Sequence, residues 1–416
     1  MNKVAILVYN NFTHDKRVMN VASFFYKKKY HTTVFAAKTV QELKSKESAG
    51  YKINRISLFS ALLPTPAVTE GTAQKFSRLK TTHNDGFYHK YIRNNKIKLH
   101  VIDLINEFIY FIAVIVKLLV YKPDLIYCND LDTLLPGFII ARLLKIKLIY
   151  DSHELFLYGS KYQSSFRLKR YLWQILEKNL INNVNAVIVT SKFRANILKK
   201  QYNLKKIHVV RNCPNYEPVK PNDLFRKEFS LPLDNTILLY QGLLTESRGI
   251  FELVDIVSEI DKVNLIFLGM GRDIQRLKDY ILAKGVSGKI FVKNAVNPKI
   301  LLNYTSSADI GLQLLKNINI NHYSTISNKL FEYIMSGIAI IASDFPEISS
   351  IVEANKIGYC VDPDNREKIK STILKLIIDP EKLNMFKQNS LKCRIKYTWE
   401  KEVEIIEKIL SEIELS

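Results

Sequence analysis

The sequence predicts an α/β fold built from two doubly wound, Rossmann-like parallel-sheet lobes. Three observations carry this. Short apolar runs alternate with segments of helical periodicity along nearly the whole chain. The runs are apolar throughout, as in strands covered on both faces. Apart from an interruption at 60–100, the rhythm stops at 213–234, where Pro214, Pro218, Pro221 and Pro232 break it, and then restarts. At 416 residues the chain exceeds one hydrophobic core, so two domains are expected.

In the first half, strands are predicted at 4–9, 32–37, 53–58, 125–128, 147–150, 186–190 and 208–211. Helices are predicted at 16–28, 101–120, 132–144, 167–181 and 192–200. Val18, Val21, Ala22 and Phe25 show the helical spacing in the first of these. Residues 60–100, with Pro64, Pro66, Gly71 and a basic stretch, read as a loop or insertion. After the break, strands are predicted at 236–240, 264–268, 290–292, 310–314, 339–342 and 358–361. Helices follow at 249–260, 273–284, 298–305, 328–335, 346–353, 366–378 and 399–411. The expected domains are 1–215, a linker at 216–234, 235–395, and a C-terminal helix at 396–416 packing back on the first domain. Ligands of such sheets bind at the carboxyl ends of strands, and with two lobes the cleft between them is the natural place.

Composition is that of a folded protein, with 47% hydrophobic and 24% charged residues. Net charge is +22 over residues 1–220 and −1 over the rest. A field confined to one lobe attracts anionic partners: nucleic acid, acidic lipid or a phosphate-bearing substrate. Nucleic acid is disfavoured, because neither stacking strands nor a recognition helix is evident. Cys128, Cys213, Cys360 and Cys393 form no C-x-x-C pair, which argues for a reducing compartment and against a zinc site. The apolar start is too short for a secretory signal. The stretch 101–121 is long enough to span a bilayer but contains Asp103, Glu107 and Lys117. It reads as a largely buried helix.

The most informative stretch is 323–344, YSTISNKLFEYIMSGIAIIASD: a polar loop, a helix opening at Ser327-Asn328, and a strand. A helix N-terminus with free N–H groups binds phosphate oxygens, and Lys329 adds charge there. Glu332, one turn on, is placed to accept hydrogen bonds from vicinal hydroxyls. The same residues also fit an N-capped helix with a surface Glu–Lys pair. In 238–249, LLYQGLLTESRG, Gly242 allows close backbone approach and Arg248 offers a guanidinium fork for a diphosphate. A G-x-G turn, Gly269-Met270-Gly271, follows another strand. In the first half, Asp151, His153 and Glu154 follow a buried strand directly.

These segments resemble glycosyltransferase family 4, whose fold is called GT-B, over nearly the whole chain except 60–100. The resemblance implies a nucleotide-sugar donor held by the second lobe. Its donor residues would be Gly242, Arg248, Gly269, Gly271, Ser327, Asn328, Lys329, Leu330 and Glu332. Glu332 matches the second Glu of the family's pair, and Ser324 stands where the first would be. Leu243 occupies the first of the two basic positions in the glycine loop. His153 resembles the acceptor-lobe histidine facing the donor sugar. Asn11, Asp15, Arg17, Asp151 and Glu154 are the acceptor-side candidates, with Asn10 and Asn11 replacing the usual glycine pair. His153, Arg248 and Lys329 would be catalytic.

The implied reaction is retaining, needs no metal or cofactor, and moves a hexose from a nucleotide-diphosphate sugar, UDP- or GDP-linked, to a glycan or phosphate-linked lipid. Such a step belongs to surface polysaccharide or glycoconjugate synthesis. The expected setting is cytoplasmic, peripheral at the inner face of the membrane, with the cationic stretch 161–173 helping to hold an anionic surface. An epimerase on the same fold is the alternative.

Overall fold

The computed structural model describes residues 3–13, 15–39, 46–48, 50–59, 96–158 and 167–414. Most of the expected insertion, 60–95, and the start of the cationic stretch, 161–166, lie outside these. The chain divides into two compact units. The first holds Met1–Val189, Ile197–His208 and Lys408–Ser416; the second holds Thr190–Asn196 and Val209–Glu407.

The first unit is built on eight strands: β1 (Lys3–Val8), β2 (His31–Lys38), β3 (Lys46–Ser48), β4 (Tyr51–Ser57), β5 (Leu125–Asn129), β6 (Lys147–Ser152), β7 (Ala186–Val189) and β8 (His208–Val209). Their order is β3-β4-β2-β1-β5-β6-β7-β8. β4, β2, β1, β5, β6 and β7 pair in parallel, and β3 runs antiparallel to β4. Val4 to Leu7 and Leu125 to Cys128 are fully buried, because helices cover these central strands on both faces. Leu7 lies in register with Cys128, and Asn129 with Asp151. The exits of β1, β5 and β6 therefore share one edge.

The second unit has six parallel strands, β9 (Thr236–Leu243), β10 (Val263–Met270), β11 (Ile290–Asn294), β12 (Ile310–Gln313), β13 (Ala339–Ser343) and β14 (Gly358–Val361). They are ordered β11-β10-β9-β12-β13-β14. Gly242 at the end of β9 pairs in register with Gly269 at the end of β10.

The alternating pattern located all the long strands. It missed the three-residue β3, the helix Pro380–Cys393, and the helix Leu224–Phe229 within the stretch read as linker. Phe225 of that short helix is fully buried in the second unit's core. One expectation is corrected. The stretch Val101–Tyr121 is helical and leads into β5, but only 22% of its apolar window is buried. Asn106, Tyr110, Val114 and Leu118 form a single inward stripe, and the opposite stripe is exposed.

Candidate functional site

In the second unit the residues gather where β9 ends. Gly242 has φ +120°, and a Cβ there would stand 2.4 Å from Lys329 Cε. Glycine thus accommodates the left-handed backbone and leaves Lys329 room to lie across the strand end. Lys329 Nζ sits 4.1 Å from the centre of the Tyr240 ring. Gly269 and Gly271 serve the backbone itself: a Cβ on either would fall 1.8 Å from the Gly242 carbonyl oxygen or 1.9 Å from that of Leu244. Past Leu244, Glu246–Arg248 form a single 3-10 turn, held where the Glu246 N–H donates to Asp273 Oδ2 at 2.8 Å.

The helix Asn328–Ser336 begins beside this turn. Ser327 caps it, accepting from the Lys329 N–H at 3.3 Å. Asn328 is exposed and accepts from Asn212 Nδ2 at 2.9 Å. Leu330 is fully buried with Phe331, Tyr333 and Ile334, so its side chain is core and only its backbone belongs to the helix mouth. Glu332 is nearly buried. Gln241 Nε2 donates to Glu332 Oε2 at 2.5 Å, and Gln241 Oε1 accepts from Thr305 Oγ1 at 2.6 Å.

Among the described residues neither Arg248 nor Lys329 forms an ion pair. Burial and then Arg248 push the Lys329 ammonium down to about 7, against a smaller pull upward from Glu332. A guanidinium, an amine that titrates near neutrality, the start of a helix and a fixed carboxylate make a mouth suited to an anion that also carries hydroxyls. Ser324 is fully buried: its Oγ accepts from Arg194 Nε at 3.2 Å and its carbonyl from Ser191 Oγ at 3.1 Å.

In the first unit Asp151 is fully buried at the end of β6. It binds Arg17 in a two-pronged pair, 3.0 Å from Nε and 2.8 Å from Nη2, and accepts from the Tyr127 hydroxyl at 2.6 Å. Arg17 is 3% exposed, so both act as internal struts. His153 lies between carboxylates, with Nε2 3.5 Å from Asp151 Oδ2 and Nδ1 3.6 Å from Asp130 Oδ2. The His153 backbone N–H also donates to Asp130 Oδ1 at 2.9 Å. Burial opposes the imidazolium, but Asp130 and Asp151 outweigh it and raise His153 to about 9. Asp151 itself is held well below the usual carboxylate range: burial opposes this, and Arg17 and His153 prevail.

Asp15 caps the helix Lys16–Lys27 and accepts from Asn10 Nδ2 at 2.9 Å. Asn11 Oδ1 accepts from both the N–H and the hydroxyl of Thr39, each at 2.9 Å. Glu154 is the exposed acidic side chain of the group. Sequence reasoning passed over Gln241, Thr305, Tyr240 and Arg194. Gln241 and Tyr240 stand immediately before Gly242, and strand-exit position was the signal available for them.

Two family models meet near the boundary between the units. Residues 17–217 match Glycosyltransferase Family 4, and residues 221–392 match Glycosyl transferases group 1. The lipopolysaccharide 1,2-N-acetylglucosaminetransferase of Salmonella typhimurium is 21% identical over 266 residues, 61% of this chain and 68% of that protein. Sucrose-phosphate synthase from Thermosynechococcus elongatus superposes with a TM-score of 0.74 at 16% identity, covering 99% of both chains. Anabaena HepE, solved with UDP, superposes with a TM-score of 0.69 at 14% identity, covering 99% of this chain and all of that one. Two parallel-sheet α/β units and two adjoining matches that together run from Arg17 to Lys392 lead to one assignment: the chain belongs to the family 4 (group 1) glycosyltransferases of GT-B fold.

Proposed function

We propose that this glycosyltransferase moves a hexose, with retention, from a nucleotide-diphosphate sugar on its second unit to a glycan or phosphate-linked lipid held by its first. One observation carries the reading. Arg248 and Lys329 lack carboxylate partners among the described residues and lie next to the capped start of the helix that presents Glu332. Nucleotide diphosphate leaving a sugar develops negative charge. Arg248, Lys329 with its charge restored by the bound diphosphate, and the helix start stabilise it without a metal ion. Glu332, oriented by Gln241, accepts from the ribose hydroxyls. The departing phosphate takes the acceptor's proton. His153, charged at neutral pH, contributes hydrogen bonding and positive charge rather than acting as a base. UDP is the first nucleotide to try, since HepE was solved with it. The Salmonella relative is named a lipopolysaccharide 1,2-N-acetylglucosaminetransferase, which supports a surface-glycan acceptor.

Thermal-shift screening against UDP-, GDP-, ADP- and CMP-sugars tests the donor, since ligand bound to the native state raises Tm. The expected result is a rise with one nucleotide class, lost in Arg248→Ala. NMR of the product's anomeric carbon then tests retention, and unchanged turnover in EDTA tests metal independence. Release of a new sugar nucleotide without any acceptor would make the protein an epimerase instead.

A further inference from the structure

We infer that the outer face of the helix Lys96–Tyr121, with the adjoining faces of the helices Leu131–Leu144 and Arg167–Ile181, docks on an anionic lipid bilayer. The inference deepens the proposed function, resting on it only for where the acceptor resides. From β4 through β7 the strand order advances in one direction, so right-handed crossovers place these three helices on one side of the sheet. Lys169 on the third bonds Glu107 on the first, which confirms their adjacency.

The first helix is apolar on both faces. Inward lie Tyr110, Val114 and Leu118; outward lie Leu104 (53% exposed), Phe108 (66%), Ile112 (44%), Val116 (54%) and Val120 (81%). A helix bathed in water on one side carries polar residues there, whereas this stripe repeats an apolar side chain at every fourth position from Leu104 to Val120. Leu143 on the second helix and Tyr171 and Leu172 on the third are exposed apolar side chains as well. The helix is tied down and does not cross a membrane. The Tyr110 hydroxyl donates to the carbonyls of Val8 and Phe35, on β1 and β2, at 3.1 and 3.0 Å. It therefore lies on the bilayer rather than spanning it.

Charge selects the occupant. Exposed Lys122, Arg142, Lys145 and Lys178 stand at the C-terminal ends of the three helices. The helices contain four carboxylates, of which Glu107 is paired with Lys169 and Glu177 is buried between the Tyr150 and Tyr202 hydroxyls. Residues 1–220 carry +22. A second copy of the chain would bring like charge against like charge; phosphate headgroups complement the rim and acyl chains the stripe.

The test is flotation of the full chain with phosphatidylcholine vesicles, with and without phosphatidylglycerol, at low salt. Wild type should float with the anionic vesicles, and Phe108→Glu/Ile112→Glu should reduce retention at least about tenfold. These residues are exposed, so Tm and nucleotide binding should stay unchanged in the variant. Equal retention of the variant, or no retention of wild type, overturns the inference. So does a dimer in size-exclusion chromatography that the variant dissociates while neither form binds vesicles. Calorimetric nucleotide binding by the wild type separates the outcomes: a wild type that binds nucleotide but no vesicles counts against this surface alone, and one that binds vesicles but no nucleotide counts against the donor assignment alone.

Discussion

Gln241 is the joint between two elements: its amide donates to Glu332 on the helix Asn328–Ser336 and accepts from Thr305 on the helix Leu301–Thr305. A carboxylate bonded this way keeps one rotamer, so the hydroxyls it serves find it already oriented. Gln241→Leu removes both bonds in a buried place. Nucleotide affinity should fall about tenfold, roughly 1.4 kcal/mol. Calorimetry on Gln241→Leu, Glu332→Ala and the double variant checks this. Since Gln241 acts through Glu332, its loss should cost little once Glu332 is gone. Additive effects would show that Gln241 works by another route.

Lys329 should make donor binding sensitive to pH near neutrality. Its ammonium, brought down to about 7, is largely uncharged above that pH in the free protein, and a bound diphosphate restores the charge. Titrating UDP at pH 8 in buffers of different ionisation heat should show net proton uptake, absent in Lys329→Met. The stability sign follows from the same shift. Between about 7 and the ordinary value of 10.5 the unfolded chain holds more proton, so this residue makes stability rise with pH there.

Gly242→Ala combines two penalties, a left-handed φ and a Cβ 2.4 Å from Lys329 Cε. Gly285 separates them, having φ +70° and nothing within 4 Å of a Cβ. Each alanine should cost on the order of 1 kcal/mol of stability through backbone strain. Only Gly242→Ala should also weaken nucleotide binding, by displacing Lys329. Urea unfolding paired with calorimetry on both variants reads the two effects apart.

The sheets were legible because buried parallel strands leave continuous apolar runs, and 236–240 and 339–342 needed no tertiary information. The helix Pro380–Cys393 was missed although Asp379 accepts from the Lys382 N–H and Pro380 opens it, a start signal outweighed by weak periodicity. Residue type and spacing singled out Gly242, Arg248, Lys329 and Glu332, and the fold gathers them where β9 ends. Arg17 and Asp151 were picked out too, but their burial against each other depends on a pairing 134 residues apart in sequence. The outward stripe of the helix Lys96–Tyr121 was misread for a similar reason. Hydropathy records that a helix is apolar, and only packing records which side is covered.

His153 should leave a measurable trace in the stability curve. Its neutral form is ordinary in the unfolded chain above 6.5, whereas in the folded protein Asp130 and Asp151 keep it protonated to about 9, against burial and Arg17. A group whose folded value is raised contributes fully below the unfolded value and loses its contribution as pH climbs through the folded one. The wild type should therefore lose roughly 2–3 kcal/mol between pH 6.5 and 9 that His153→Gln does not lose. Urea unfolding across that range measures it, and the imidazole carbon shifts in NMR report the titration directly. Asp130→Asn removes one of the two carboxylates while leaving the Arg17–Asp151 pair in place, so it should move the midpoint downward and narrow the window. A His153 midpoint near 6.5 in the wild type would mean that the carboxylates at 3.5 and 3.6 Å do not hold its proton.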